Sequence, residues 1–175
     1  MSGGSLDGEV RTAPCSFSRT MTTPANPSVS HDDSVYEIST ERSRLDIGLI
    51  HNFLSLSYWA KGIPRSVVER SIEHSFCFGA FHDGRQVAFA RVITDFATIA
   101  YLADVFVIPE HRGRGVSKLL MRAILEHSKL QGLRRFILAT KDAHGLYAGF
   151  GFKPLAQPED FMTIHNANPY QKTEL

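Results

Sequence analysis

The stretch VFVIPEHRGRGVSKLLMRAIL, from Val105 to Leu125, restricts the fold of this chain more than any other. A β-branched apolar run ends at Pro109, a loop carries Gly113 and Gly115, and an amphipathic helix follows at once. A strand, a glycine loop and a helix in that order build a socket for an anion. The first N–H groups of a helix lack internal partners, and the helix dipole adds partial positive charge there. Glycines let the backbone close around a phosphate without an obstructing Cβ, and Arg112 and Arg114 contribute full charges. A ligand bearing phosphate groups is therefore expected.

The whole chain narrows the kind of ligand. Its formal charge is only +1, which leaves no electrostatic footprint for nucleic acid or an anionic membrane, so the arginine loop is a local feature and its ligand a small molecule. At 175 residues, 43% hydrophobic and 21% charged, the chain can bury a sizeable core. No apolar run approaches the roughly 20 residues that span a bilayer, and no signal-peptide core is present. Cys15 and Cys77 lie far apart and nothing calls for a disulfide, so a reduced, cytoplasmic setting fits. The eight histidines are scattered without ligand spacing, and no metal is expected.

Residues Met1 to Asp33 are rich in Ser, Thr, Pro and Gly and read as a disordered tail, with Met21 inside it as an alternative start. Residues 34–175 read as one domain. Val35 to Ser39 alternates as a short strand. Leu45, Leu49, Ile50, Phe53, Leu54 and Ser57 recur at helical spacing, and Pro64 opens a second helix with Val67, Val68, Ser71 and Ile72 inward. Phe76–Phe81 and Gln86–Thr94 are strands joined by His82-Asp83-Gly84-Arg85, a hairpin signal. Ile99–Ile108 pairs next. The helix from Val116 puts Leu119, Leu120, Ala123, Ile124 and His127 on one face and stops at Gly132. Arg135–Thr140 is a strand, Leu146–Phe150 a helical turn, Gly151-Phe152 the start of another strand, and Phe161–His165 the last. Hairpins followed by a β-α-β unit give a mixed α/β (α+β) sheet.

At this point the residues resemble a family. The segment VFVIPEHRGRGVSKLLMRAI is similar to the acetyl-CoA motif of the GNAT (GCN5-related) N-acetyltransferases: Gln or Arg, two residues, Gly, one residue, Gly or Ala. Arg112, Gly115 and Ser117 occupy those places, with serine as a departure that keeps its N–H. Ala143-His144-Gly145-Leu146-Tyr147-Ala148-Gly149-Phe150-Gly151-Phe152 resembles the second signature, in which Thr140 replaces a frequent asparagine seven residues before the tyrosine. The resemblance implies a mostly antiparallel sheet splayed into a V, with helices on both faces. It implies acetyl-CoA as cosubstrate, its pyrophosphate on the N–H groups of Arg112, Gly113, Arg114, Gly115, Val116 and Ser117. Its pantetheine arm would run along the strand edge at Val105, Phe106 and Val107 as an added strand.

The same resemblance implies acetyl transfer to a primary amine of a small molecule or peptide by direct attack. A backbone N–H near Phe106 or Val107 would face the developing oxyanion. Tyr147 stands where the family puts the acid that protonates the departing thiolate; the other reading is packing against Phe150 and Phe152. Asp104, beside the thioester, is a candidate base or a structural carboxylate. His144, one helical turn before Tyr147, is a second candidate base or a helix-start residue. Asp142 reads as a helix cap. Tyr58 and Trp59 lie in the loop that overhangs the acceptor in this fold, where they shape a pocket or anchor the core.

Gly113 and Gly115 superficially suggest a dinucleotide fingerprint, but the third glycine is missing and a meander precedes them. A non-catalytic acyl-CoA-binding sensor or scaffold is the alternative to an enzyme, although a pure binder needs neither Tyr147 nor Asp104. A homodimer stays open, since terminal strands in this fold often pair across one.

Overall fold

The computed structural model describes residues 35–166 and 169–170; the expectations for the first 33 residues, Met21 included, lie outside them. In chain order the elements are β1 (Glu37–Ser39), α1 (Ile47–Leu56), α2 (Arg65–Glu73), β2 (Phe76–His82), β3 (Arg85–Thr94), β4 (Ile99–Val107), α3 (Val116–Glu126), β5 (Arg135–Leu138) and α4 (His144–Ala148). The five strands form one sheet in sequence order, antiparallel throughout except for the parallel β4–β5 pair. The mixed sheet with helices on both faces is the expected fold.

Local chemistry explains the turns. Asp83 and Gly84 both take positive φ, 48° and 73°, as a tight two-residue hairpin requires. The β3–β4 turn is held by Asp95, whose Oδ1 accepts from the N–H groups of Ala97, Thr98 and Ile99 while Oδ2 accepts from the Thr98 hydroxyl. Those bonds hold the Asp95 carboxyl well below the usual carboxylate range, the Thr98 hydroxyl contributing most. At the start of α1 the Asp46 side chain caps Leu49 N–H at 2.9 Å.

Two cores sandwich the sheet. On one face Val116, Leu120, Met121 and Ile124 of α3 pack against Phe78, Ala88, Ala90, Val92 and Leu102. Ala80, Ala88, Ala90 and Ala100 are wholly buried, and such small side chains let the helix lie close to the strands. On the other face Ile50, Leu54, Val68 and Ile72 from α1 and α2 cover Cys77, Phe89 and Phe106.

Several boundaries differ from expectation. The central helix ends at Glu126, not at Gly132. There the His127 ring accepts from Lys129 N–H, and a 3-10 turn at Ser128–Leu130 buries Leu130 before Gly132, at φ 73°, redirects the chain. β5 stops at Leu138, and α4 begins at His144 because Ala143 N–H is caught by the Thr140 hydroxyl at 3.1 Å. The cap expected from Asp142 does not form: the helix start has no side-chain cap bond, and the Asp142 carboxylate accepts from Tyr58 OH instead. Neither of the last two expected strands forms among the described residues. Pro154 and Pro158 withhold ladder donors, Pro158–Asp160 is a 3-10 turn, and 161–166 joins no strand ladder, with Met162 and Ile164 exposed.

Candidate active site

The site begins with an irregularity in β4. Phe106 pairs with Phe89, but Ala103 pairs with Arg91, so β4 holds one residue more than β3 across that interval. The extra residue forms a bulge at Asp104, which takes φ 54°, a left-handed conformation that costs most side chains energy. β5 follows β4 only from Ile99 to Leu102. Beyond the bulge, therefore, the β5-side edge of β4 has no strand partner among the described residues, and the sheet splays. Ile108 N–H donates to Val87 O at 2.9 Å. Alternation along the strand then directs Phe106 N–H to β3 and leaves Val105 and Val107 facing the open edge. Of the two expected oxyanion donors, this favours Val107.

The glycine loop meets that edge. Gly113 and Gly115 take φ 72° and 84°, and Gly115 opens α3 with no side-chain cap, so the first helical N–H groups are turned outward. Arg112 Nε donates to Val107 O at 2.9 Å, with its guanidinium 6.0 Å from the Phe53 ring centre. A cleft of about 1030 Å³ follows, lined by Val105, Phe106, Val107, Arg112, Gly113, Gly115, Val116 and Ser117, and also by Tyr147. Arg114, expected among them, does not line it and lies near His111.

A second cavity, of about 550 Å³, continues from the first and shares Tyr58, Trp59, Val105, Asp142, Ala143 and Tyr147 with it. Tyr147 is buried, and burial is the main cause that raises its pKa, with Tyr58 and Asp142 adding to it. The phenol thus keeps its proton through neutral pH. Tyr58 and Trp59 are 55% and 43% exposed, so they are not core anchors, and each is tied down by its polar end. Tyr58 OH donates to Asp142 Oδ1 and accepts from Lys141 N–H, both at 3.3 Å, which ties the α1–α2 loop to the segment after β5. Trp59 Nε1 donates to Asp104 Oδ1 at 3.3 Å.

Asp104 is not a lone carboxylate. Its Oδ2 accepts from Arg91 Nε at 2.7 Å, and the two side chains are only 12% and 15% exposed. Arg91 also donates to the Ser75 hydroxyl through Nη1 at 3.2 Å. His144 is exposed and lines neither of the two joined cavities; it lies in a third groove along β5 that shares Ala139, Thr140 and Tyr147 with the second cavity. The Cys77 thiol is buried, and burial pushes its pKa up to about 11, which removes it as a nucleophile. No three metal-ligating side chains converge among the described residues, and no helix there is long and apolar enough to cross a membrane.

Sequence reasoning missed Arg91, Lys141, Tyr101 and Tyr170, all of which line the second cavity. Only Arg91 left a signal: a charge inside the apolar run VAFARVI.

A splayed sheet with a helix N-terminus beside its open edge is the arrangement of an acyl-transfer fold, and a profile of the acetyltransferase (GNAT) family matches residues 35–152. The chain belongs to the GNAT family of acetyltransferases. Its structure is similar to a Xanthomonas campestris pv. campestris protein assigned to that family, with 61% identity, a TM-score of 0.76, and coverage of 77% of this chain and 96% of that one. Over 135 residues it is 30% identical to a protein of Gibberella zeae assigned as an acetyltransferase, covering 64% of this chain and 75% of the relative. The glucosamine-6-phosphate N-acetyltransferase of Arabidopsis thaliana shares the fold alone, at 16% identity and TM-score 0.55, covering 75% of this chain and 97% of that one.

Proposed function

We propose that this chain is an N-acetyltransferase that moves the acetyl group of acetyl-CoA onto a primary amine by direct attack, in the cytoplasm and without a metal. The observation that carries this reading is the junction of the two cavities at Tyr147. One of them carries the backbone donors of the glycine loop and the β4 edge, and the other carries charged side chains, which suits a reaction between a phosphate-bearing donor and a separate acceptor.

The residues fit the donor. Left-handed glycines at 113 and 115, an uncapped helix start and the Arg112 guanidinium suit a pyrophosphate. The open β4 edge suits an amide-containing arm that pairs as a strand does. Acetyl-CoA, when bound, supplies the acetyl group as an activated thioester. The chain's own residues do the rest. Val107 N–H, on the open edge, offers a donor to the thioester oxygen. Tyr147 holds a proton for the departing sulfur. The Asp104 carboxylate faces the acceptor amine and takes its proton directly or through water. His144 lines neither cavity and is given no role.

The test is thiol release from acetyl-CoA over a panel of amines. Release that depends on both substrates and collapses in Tyr147→Phe supports the reading. Tight acetyl-CoA binding with no turnover on any amine would leave the binding module instead.

A further inference from the structure

The second cavity is walled by aromatic rings, Tyr58, Trp59, Tyr101 and Tyr170, and holds four charged side chains, two of each sign. Arg91 and Asp104 sit side by side at 2.7 Å, and Lys141 and Asp142 are neighbours in sequence. Such a lining has no net charge to offer a polycation. A second ammonium would meet Arg91 or Lys141, and Lys141 Nζ already occupies the face of Tyr58 at 5.8 Å. A simple anion would meet Asp104 or Asp142.

The buried pair has unspent capacity on both sides. Among the described residues Arg91 engages Asp104 through Nε and Ser75 through Nη1, so Nη2 has no partner. Asp104 accepts one bond on each oxygen, from Arg91 and from Trp59, and each carboxylate oxygen has room for another. A positive donor and a negative acceptor thus stand next to each other, largely withdrawn from water, where charge-assisted bonds are strong.

We infer that the acceptor is a zwitterionic amine of α-amino-acid type, its amino group against Asp104 and its carboxylate against Arg91 Nη2. Resting on the acetyl-transfer reading above, this narrows the acceptor from any amine to one with a carboxylate beside it. An α-amino acid carries its two charges on adjacent groups, and the Arg91–Asp104 pair presents the opposite two at the same spacing. The ring of four alternating charges leaves none buried alone, which a bare amine or an amide cannot achieve. Apolar Ile63 and Val67 and the aromatic wall take the side chain, and the cavity's 550 Å³ suits one residue rather than a long peptide. Asp104 directly precedes Val105 of the open edge, so the amine held there stands at the junction where the thioester is expected.

The experiment uses the wild-type full chain with matched acceptors: phenylalanine, phenylalaninamide and phenethylamine, then leucine and isopentylamine, with spermidine as polycation. The amino acids should exceed their decarboxylated partners in kcat/KM by at least roughly tenfold, the amide falling with the amines. Arg91→Gln should erase that preference and raise KM for the amino acids more than it lowers kcat, while Arg91→Lys restores part of it. Should the Arg91 variants fail to fold, the wild-type panel alone decides. Equal or better turnover of amide, bare amine or spermidine overturns the inference and leaves acetyl transfer intact. If acetyl-CoA binds but no acceptor of the panel turns over, the acceptor assignment is overturned together with the transfer reading, an outcome distinct from the first, in which turnover persists without the preference.

Discussion

The donor cleft and the acceptor cavity meet at Tyr147, yet they are built from different materials. The cleft is flanked by α1 and α4, but its polar groups come from one continuous segment, 105–118, and act mainly through backbone: two left-handed glycines, a helix start and a strand edge. The cavity is made by side chains from the α1–α2 loop, α2, β3, β4 and the loop before α4. A backbone device has few sequence solutions and tolerates little change. A side-chain device can be rewritten residue by residue while the scaffold stands, which is how one fold serves many acceptors. Substitutions in the two regions should therefore fail in different ways.

The largest effect belongs to the junction. Tyr147→Phe keeps the ring in its buried place and removes only the proton donor. Turnover should fall by roughly 10²–10⁴ while acetyl-CoA affinity stays near wild type, read by steady-state kinetics and calorimetry. Burial raises the Tyr147 pKa above the ordinary phenol value of about 10, and an acid works only while protonated. Activity should thus persist through mild alkali and be lost as pH rises through that raised value, with this alkaline limb absent in the Phe variant. Cofactor binding that vanished with turnover would assign Tyr147 to the cleft and break the comparison.

Next in size are the loop variants. Arg112→Ala removes a charge-assisted contact worth roughly 1.5–3 kcal/mol, so the Kd for acetyl-CoA should rise about tenfold to a hundredfold. Gly113→Ala is the sharper probe, because a Cβ there meets nothing within 4 Å in the protein itself. Its backbone cost, on the order of 1–2 kcal/mol for a left-handed residue, lowers the melting temperature. A Kd increase beyond Arg112→Ala in a folded protein would mean the methyl obstructs the ligand. Acceptor KM at saturating acetyl-CoA should not move in either variant.

The same division governs what the sequence could disclose. Gly113, Gly115 and Pro109 announce the loop because only certain residues take those conformations, and periodicity announces α3 and the β2–β3 hairpin at the Asp83-Gly84 turn. The Arg91–Asp104 contact was invisible: it depends on a bulge that shifts pairing by one residue, and alternation patterns do not encode bulges. Tyr58 and Trp59 were readable as pocket residues only through the family resemblance, and their bonds to Asp142 and Asp104 only through the fold. The strands expected at Gly151 and Phe161 were misread because apolar alternation marks a strand only where a partner edge is available.

Asp104 separates geometry from charge within the cavity. Asp104→Gly suits φ 54° better than aspartate does, so the bulge should survive while the carboxylate is lost. Asp104→Asn keeps an acceptor for Trp59 but leaves the largely buried Arg91 uncompensated. Both should lose roughly 2 kcal/mol of stability, less than a fully buried pair because solvent reaches each partner. Both should raise acceptor KM and lower kcat with acetyl-CoA affinity unchanged. If Gly retained full acceptor kinetics, the carboxylate would serve only to shape β4, and the cavity would prove to be a backbone device like the cleft.

The smallest effect lies outside both regions, at Asp95, and tests whether the β3–β4 turn feeds into the bulge. Its carboxylate accepts four bonds and is held well below its ordinary pKa. A depressed carboxylate stabilises the fold fully above the unfolded-state value of about 3.9, and that contribution fades as pH falls through the folded-state value. Wild-type melting temperature should therefore drop in acid more steeply than that of Asp95→Ala, the two curves converging at the lowest pH. At neutral pH the alanine variant should melt slightly lower with both Michaelis constants unchanged, because Ala103 still pairs with Arg91 and the bulge is set locally. An altered acceptor KM would instead mean that the turn holds Asp104 in place through β4, extending the cavity's supports to the far end of the sheet.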